Sequence, residues 1–562
     1  MAKSLCFTCM ILLNCSIVVT AQNSLEDVIK SYDAFNENWN KKNENSWPIQ
    51  TEQDIQEKAI ALKSIKKKLS KLKPDDKDAN AQINIEMLDF ILGNDIYNLE
   101  FGMHLMPLNS EGGFITSMLG SVRGKVLKDQ EDIDNYLEKI GTTNLYLDKQ
   151  TEWLNEGIKK GKVRPKLVVE NCLELLEDIL NDETFFLFKP LKGKHDLDPH
   201  YKNEIYNGFK RFHKYLSTTY MSSAKEKIGI KEIKNGKELY EQRVKYYTTL
   251  NMTPKEVYDL GHQEVKRIRA EMDKIIAELN YEGSFKDFTN FLRTDEQFYA
   301  KTDKEILYYA SWLSKKAEEI LPRYFNKLPR LPFTVTPVPL EIAPNYTTGR
   351  YSGGSMDNQR AGQYWVNTTK LPSRPLYVLP SLTLHEAVPG HHLQISLAKE
   401  LTGLPKFRSY YLSAFGEGWG LYSEYLGKEA GIYTTPYEDF GRLTYEMWRA
   451  CRLVVDPGMH YFGMNREEAV AFMTENTALS IHEVNTEINR YIGWPGQAVS
   501  YKIGELKIRE LRKKAEQELG DKFDIRSFHD VVLANGSIPL NTLERIINDY
   551  ITKEKNKDVE KN

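Results

Sequence analysis

From about residue 23 to 330 apolar residues recur at helical spacings between charged ones, which predicts helix after helix. The clearest runs are Ile55 to Leu72 and Ile83 to Ile96, followed by stretches near 129–160, 165–182, 200–222, 254–280 and 303–326. Lys73-Pro74-Asp75-Asp76 breaks the first two apart. Thr253-Pro254-Lys255-Glu256 has the composition of a helix start: a threonine cap, a first-turn proline and a carboxylate. Runs such as Lys66-Lys67-Lys68 read as solvated helix faces. Between 330 and 380 the period changes. Phe333 to Thr336 and Gln363 to Asn367 are β-like, whereas Tyr351-Ser352-Gly353-Gly354 and Pro372 to Pro375 are turn-forming. Beyond 380 the helical period returns. The pattern predicts a mainly α fold with a small β-sheet, made of a helical N-terminal lobe (22–330) and a second lobe (331–555). No repeat or low-complexity linker separates them, so one integrated fold is expected. An exposed edge of the sheet would offer free backbone groups to an extended peptide, which makes Tyr364 and Asn367 candidate substrate contacts.

Composition narrows the functional classes. Of 562 residues, 41% are hydrophobic and 28% charged, with a net charge of −3 and no basic stripe, which argues against a nucleic-acid partner. At the N-terminus Lys3, the mostly apolar run Phe7 to Thr20 and the small-residue site Val19-Thr20-Ala21 form an expected signal peptide over 1–21. That run is too short for a permanent anchor, so an exported protein without an integral membrane segment is expected, periplasmic or extracellular. Leu12-Leu13-Asn14-Cys15 only faintly resembles a lipoprotein acylation site, because Asn14 is wrong for its position. Cys6, Cys9 and Cys15 all fall in this segment, and the mature chain keeps Cys172 and Cys451. Neither a disulfide framework nor a cysteine metal site is then available. The expected assembly is a monomer or homodimer.

Candidate chemistry centres on Leu384-His385-Glu386-Ala387-Val388-Pro389-Gly390-His391-His392-Leu393-Gln394, which holds three of the chain's 11 histidines. Neutral imidazoles bind zinc, and a glutamate beside the first can take a proton from a metal-activated water. On an ideal helix His391 and His392 would lie about 9 and 10.5 Å beyond His385, too far to share one ion. A bulge at Pro389-Gly390 would shorten the path. His391 is the favoured second ligand and His392 its rival. Downstream, Ala414 to Glu424 carries Glu417 and Glu424 seven apart on one helical face. One could complete the ligand set while the other orients a histidine from behind. Further on, Arg452 and Asp456 are spaced for an ion pair, and His460 follows a Pro-Gly break from which it could donate to an oxyanion. Tyr491 and Tyr501 are further oxyanion candidates, and Gln497 could hold a peptide amide. Gln497, Arg452 and Lys502 complete the candidate substrate contacts. His482-Glu483 has no companion histidine and reads as structural.

Four motifs in order carry a resemblance: His-Glu-Ala-Val-Pro-Gly-His-His-Leu-Gln from His385, Glu-Gly-Trp-Gly-Leu-Tyr-Ser-Glu from Glu417, Arg-Leu-Val-Val-Asp-Pro-Gly-Met-His from Arg452, and Pro-Gly-Gln-Ala-Val-Ser-Tyr-Lys from Pro495. From about 340 to 550 the chain resembles the bacterial domain-of-unknown-function family 885. More distantly the motifs are similar to helical zinc peptidases of the angiotensin-converting-enzyme and carboxypeptidase Taq type. That likeness implies a two-lobed helical cleft with one zinc ion on His385, His391 and Glu417, Glu386 as general base, and peptides as substrates. Two residues more separate the histidines here than in the five-residue motif of those peptidases. A zinc hydrolase of a non-peptide amide and a non-catalytic peptide-binding protein are the alternatives.

Overall fold

A computed structural model describes residues 24–72, 78–340, 342–343 and 346–557. The expected signal peptide with its three cysteines, and the break at 73–76, lie outside the described residues. The fold is mainly α, and the apolar periodicity locates the elements well. The anticipated helices run Glu52–Leu69, Ala79–Phe101, Gln130–Gly141 with Thr143–Lys159, Lys166–Asn181, Pro199–Tyr215, Pro254–Glu278 and Asp303–Tyr324. Thr253 and Glu256 form the reciprocal cap expected of that segment: the Thr253 hydroxyl accepts from the Glu256 amide, and the Glu256 carboxylate accepts from the Thr253 amide at 2.8 Å.

Two large hydrophobic cores hold the helices together. One gathers residues from Trp47 to Leu313 and again from Tyr364 to Ala498. The other runs from Val28 to Phe325 and from Leu384 to Ile551. Each core draws on residues from both sides of position 330. The boundary near 330 marks a change of secondary structure and does not separate two cores.

The sheet has three strands, β1 (Phe333–Pro337), β2 (Gly349–Ser352) and β3 (Gly362–Val366), in the order β1-β3-β2. β1 runs parallel to β3 and β2 antiparallel to it, with Tyr351 opposite Tyr364. Tyr351 and Ser352, expected in a turn, belong to edge strand β2, and the turn follows only at 356–359. Gly349 and Tyr351 are buried while Arg350 between them is exposed, an alternation too short to read from the sequence.

Tyr364 and Asn367 are not substrate contacts. Tyr364 is fully buried, its hydroxyl 3.4 Å from Thr383 Oγ1. Asn367 Nδ2 donates to the carbonyls of Ala343, Tyr346 and Thr347 at 2.8–3.1 Å, so this side chain ties the β2 approach loop to the end of β3. Among the described residues no helix is long and apolar enough to cross a membrane.

Candidate metal centre

His385 and Glu386 end a short helix, Leu379–Glu386, all eight residues of which are buried. The chain then leaves helical geometry at Ala387 (φ −93°, ψ −113°) and restarts as helix His391–Glu400. The reversal is tight. A β-carbon on Gly390 would stand 1.9 Å from the His385 carbonyl oxygen, so only glycine fits there. The Trp419 indole donates to the Pro389 carbonyl at 2.7 Å and pins this turn to the helix Ser413–Glu429. Pro389-Gly390 thus breaks the helix in two where a bulge was expected. His385 and His391 come together with ring centroids 4.7 Å apart and planes at 89°.

The third group arrives on Ser413–Glu429. Glu417 Oε2 lies 3.4 Å from Nε2 of His385 and 3.4 Å from Nε2 of His391. The three potential ligand atoms lie within 4.8 Å of one another. Bonds of about 2.0–2.1 Å in a tetrahedral site put neighbouring ligand atoms roughly 3.3–3.4 Å apart. Both histidine–glutamate separations match that edge, so the donor set and spacing fit one zinc ion. Small residues permit the approach. A β-carbon on Gly420 would fall 2.6 Å from the His385 ring. On another face Gly418 meets Gly504 of helix Ser500–Leu519, where a β-carbon on Gly418 would lie 2.5 Å from the Gly504 Cα.

Glu424, two turns beyond Glu417, fixes the first ring. His385 Nδ1 lies 2.7 Å from Glu424 Oε1, whose carboxylate also accepts from Ser381 Oγ at 2.6 Å and faces Arg449 at 3.3 Å. With the proton on Nδ1, the Nε2 lone pair points toward Glu417 and His391. Burial alone would lower the His385 pKa, but Glu417 and Glu424 outweigh it and raise it to about 9. Glu417, against the opposing cost of burial, is held well below the usual carboxylate range by His391 and His385. The pocket stabilises positive charge, whether a proton or a metal ion.

His392 faces elsewhere. Its Nδ1 lies 3.0 Å from Tyr351 Oη, its ring packs on Phe333 at 4.7 Å, and burial holds its pKa down at about 4. The rivalry resolves to His391, and the alternate Glu424 stands behind His385 as its orienting carboxylate. Glu386 Oε2 accepts from the Tyr351 backbone amide at 2.7 Å, so the glutamate reaches across to edge strand β2. Tyr411, missed in the sequence, donates to Glu417 Oε1 at 3.2 Å. Tyr411 as a whole is 43% exposed. Desolvation at its hydroxyl and then the neighbouring charge of Glu417 hold its pKa far above the ordinary phenol value. No sequence signal marks Tyr411, six residues before Glu417 in an irregular segment. Tyr501 is half-buried nearby, and its pKa is raised by burial and then by the charge of Glu417.

Four further expectations are corrected. His460 is fully buried, its Nδ1 accepting from the Ile230 amide at 3.1 Å and its Nε2 meeting the Tyr491 carbonyl at 3.0 Å. Both nitrogens are spent on backbone, and the ring cannot face a cleft. The Tyr491 hydroxyl accepts from Arg452 Nε at 2.7 Å and Trp448 Nε1 at 2.9 Å and is likewise withdrawn from solvent. Arg452 pairs with Glu487 at 3.0 Å, whereas Asp456 bonds the Tyr240 hydroxyl at 2.6 Å and the Gly496 amide at 3.0 Å. Their i,i+4 spacing permitted a pair that the better-placed Glu487 forms instead. Lys502 is fully buried among Glu446, Glu505 and Glu264 at 2.8, 2.7 and 3.1 Å, a packing network with no route to substrate. Gln497 remains beside the site: its Oε1 accepts from Arg490 Nη1 at 2.5 Å, and its Nε2 lies 3.5 Å from Ser413 Oγ, one turn before Glu417.

A family model described as "Bacterial protein of unknown function (DUF885)" matches residues 36–547. No curated protein matches the chain. A crystal structure from Colwellia psychrerythraea, described as a "putative lipoprotein", is similar over 91% of this chain and 93% of its own, with 26% identity and a TM-score of 0.81. A second, from Shewanella oneidensis and described as a "putative lipoprotein of unknown function", covers 93% of this chain and 100% of its own at 18% identity and a TM-score of 0.77, a likeness of fold alone.

Proposed function

The chain belongs to the bacterial DUF885 family, and from that premise we propose that it is an exported zinc-dependent peptidase acting on short or unfolded peptides. The observation that carries the reading is the meeting of His385, His391 and Glu417, with Glu417 Oε2 3.4 Å from each imidazole Nε2 and Glu386 adjacent to His385. Export is supported by the N-terminal signal-like segment and by the lipoprotein name borne by the Colwellia protein.

Zinc on His385, His391 and Glu417 would supply Lewis acidity, lowering the pKa of a water toward neutrality and polarising a scissile carbonyl. Glu386 is the general base, taking a proton from the attacking water and returning it to the departing amine. The Tyr351 amide holds one of its oxygens, which limits the carboxylate's rotation while it works. Tyr501 keeps the oxyanion-donor role expected of it alongside His460 and Tyr491, which are both withdrawn into the core, and Tyr411, whose hydroxyl donates to Glu417 at 3.2 Å, joins it. Such donors contribute roughly 3–4 kcal/mol each in comparable sites. Edge strand β2, beside Glu386, offers an extended peptide a backbone to lie along.

The test is zinc content and peptide hydrolysis of the mature protein, wild type against Glu386→Gln. Zinc near one per chain in both, with cleavage only by the wild type, is expected. Zinc in both without cleavage of any peptide would favour a non-peptide amide as substrate. Absence of zinc after reconstitution would overturn the reading and leave a peptide-binding protein.

A further inference from the structure

A cavity of about 170 Å³ shares no residue with the metal centre. Its walls come from distant parts of the chain: Tyr299, Tyr377 just before helix Leu379–Glu386, Thr444 and Tyr445 on helix Pro436–Pro457, and Glu483 in the first turn of helix Ile481–Gly493. Ile481, 50% exposed, also lines it and marks its solvent side. A space of this size takes about six to eight non-hydrogen atoms, given that a cavity of about 150 Å³ accepts benzene.

Three side-chain oxygens in this wall have no hydrogen-bond partner: Tyr377 Oη, Thr444 Oγ1 and Glu483 Oε1. Tyr377 is 4% exposed and Thr444 1%, so bulk water does not reach these hydroxyls freely. Each such group costs about 1–3 kcal/mol, which an occupant carrying donors would offset.

Glu483 decides the charge of that occupant. The arginines whose charges reach it are engaged elsewhere: Arg449 faces Glu424 at 3.3 Å, Arg452 pairs with Glu487 at 3.0 Å, and Arg374 donates to Thr348 Oγ1 and the Tyr346 carbonyl at 3.0 and 2.9 Å. Arg293, which also lines the cavity, spends Nε and Nη2 on the carbonyls of Leu479 and Thr477 at 3.0 and 2.7 Å. Burial pushes the Glu483 carboxyl up to about 7 although Arg374 pulls it down. A carboxyl with no cation in contact, in a wall with three tyrosines, selects a cation over an anion.

We propose that this cavity is a second ligand site, taking a small primary ammonium ion whose charge meets Glu483 and whose N–H groups donate to Tyr377 Oη and Thr444 Oγ1. An ammonium offers three donors and no acceptor, which suits three oxygens that accept nothing in the fold. The inference goes beyond the peptidase reading and does not rest on it.

Benzylamine fits the cavity by size, and benzyl alcohol is its neutral counterpart. Both are titrated into the mature protein by ligand-observed NMR at about pH 8, where Glu483 is ionised and the amine protonated. Benzylamine is expected to bind at least tenfold more tightly than the alcohol. Glu483→Gln should close the gap to within twofold. Tyr377→Phe and Thr444→Val remove hydroxyls that bond nothing in the fold, and together they should weaken the amine at least threefold, which decides the matter if Glu483→Gln does not fold. Each titration is run with added zinc and again with a chelator, and the affinities should agree. Equal affinity for amine and alcohol, a gap that survives the substitutions, or no binding of benzylamine would overturn the proposal and leave a cavity that holds water only. Binding lost on chelation would place the amine on the metal centre and overturn it equally.

Discussion

Glu424 bonds no ion in the arrangement proposed here, yet the ring it holds has only one productive tautomer. Glu424→Gln keeps the shape of the side chain but presents a neutral amide to His385 Nδ1 and weakens the contact with Arg449. Competition with a chromogenic chelator should find zinc affinity lower by about 10–100-fold. Tyr501→Phe, which removes one hydroxyl and little else, is expected to lower kcat by about 10²–10³ with zinc content unchanged. The residues that meet at the candidate site were legible in the sequence because so few histidines occur and three of them cluster. Which of His391 and His392 would turn inward was decided by groups distant in the chain: Phe333 and Tyr351 on the sheet claim His392. Tyr411 was invisible, since an isolated tyrosine in a loop carries no pattern.

Among the elements, the helix Ser413–Glu429 is held by neighbours on two faces through absent side chains. A β-carbon on Gly504 would lie 1.9 Å from the Ala414 carbonyl oxygen, a backbone atom with nowhere to retreat. Gly504→Ala should force the two helices apart and cost about 1–3 kcal/mol, read as a lower midpoint in chemical denaturation. Gly420→Ala presses on the His385 ring instead, and its expected signature is weaker zinc binding with a smaller loss of stability. Helical periodicity made such elements easy to place, because an amphipathic repeat over three or more turns is a strong signal. β2 escaped notice because four residues with glycine at one end carry too little alternation. The pairing of Arg452 with Glu487 was equally hidden, since sequence spacing favoured Asp456 and only the packing of helix Ile481–Gly493 brings Glu487 closer.

Over the whole molecule, His460 joins distant parts of the chain by bonding Ile230 and Tyr491. His460→Ala would leave that amide and carbonyl buried without partners, for a loss of about 2–4 kcal/mol at pH 7. Zinc content is expected to be unchanged. Burial holds the wild-type imidazole at about 4, below its ordinary 6.5. Its folded form therefore binds fewer protons than its unfolded form between those values. The stability it contributes is complete above about pH 6.5 and is lost as pH falls toward 4, so the gap between wild type and His460→Ala should narrow by about 3 kcal/mol over that window. Denaturation series at successive pH values check this. The two cores bear on when the proposed metal site would form. Helix Leu540–Asn556 supplies Leu540, Leu543, Ile547 and Ile551 to the same core that encloses Leu384 and Leu393 around the ligands. A chain exported N-terminus first, as proposed, would not close this core until helix Leu540–Asn556 had emerged. Under the proposed export and zinc binding, metal capture would follow translocation, and the bound ion would be set by the supply in the receiving compartment.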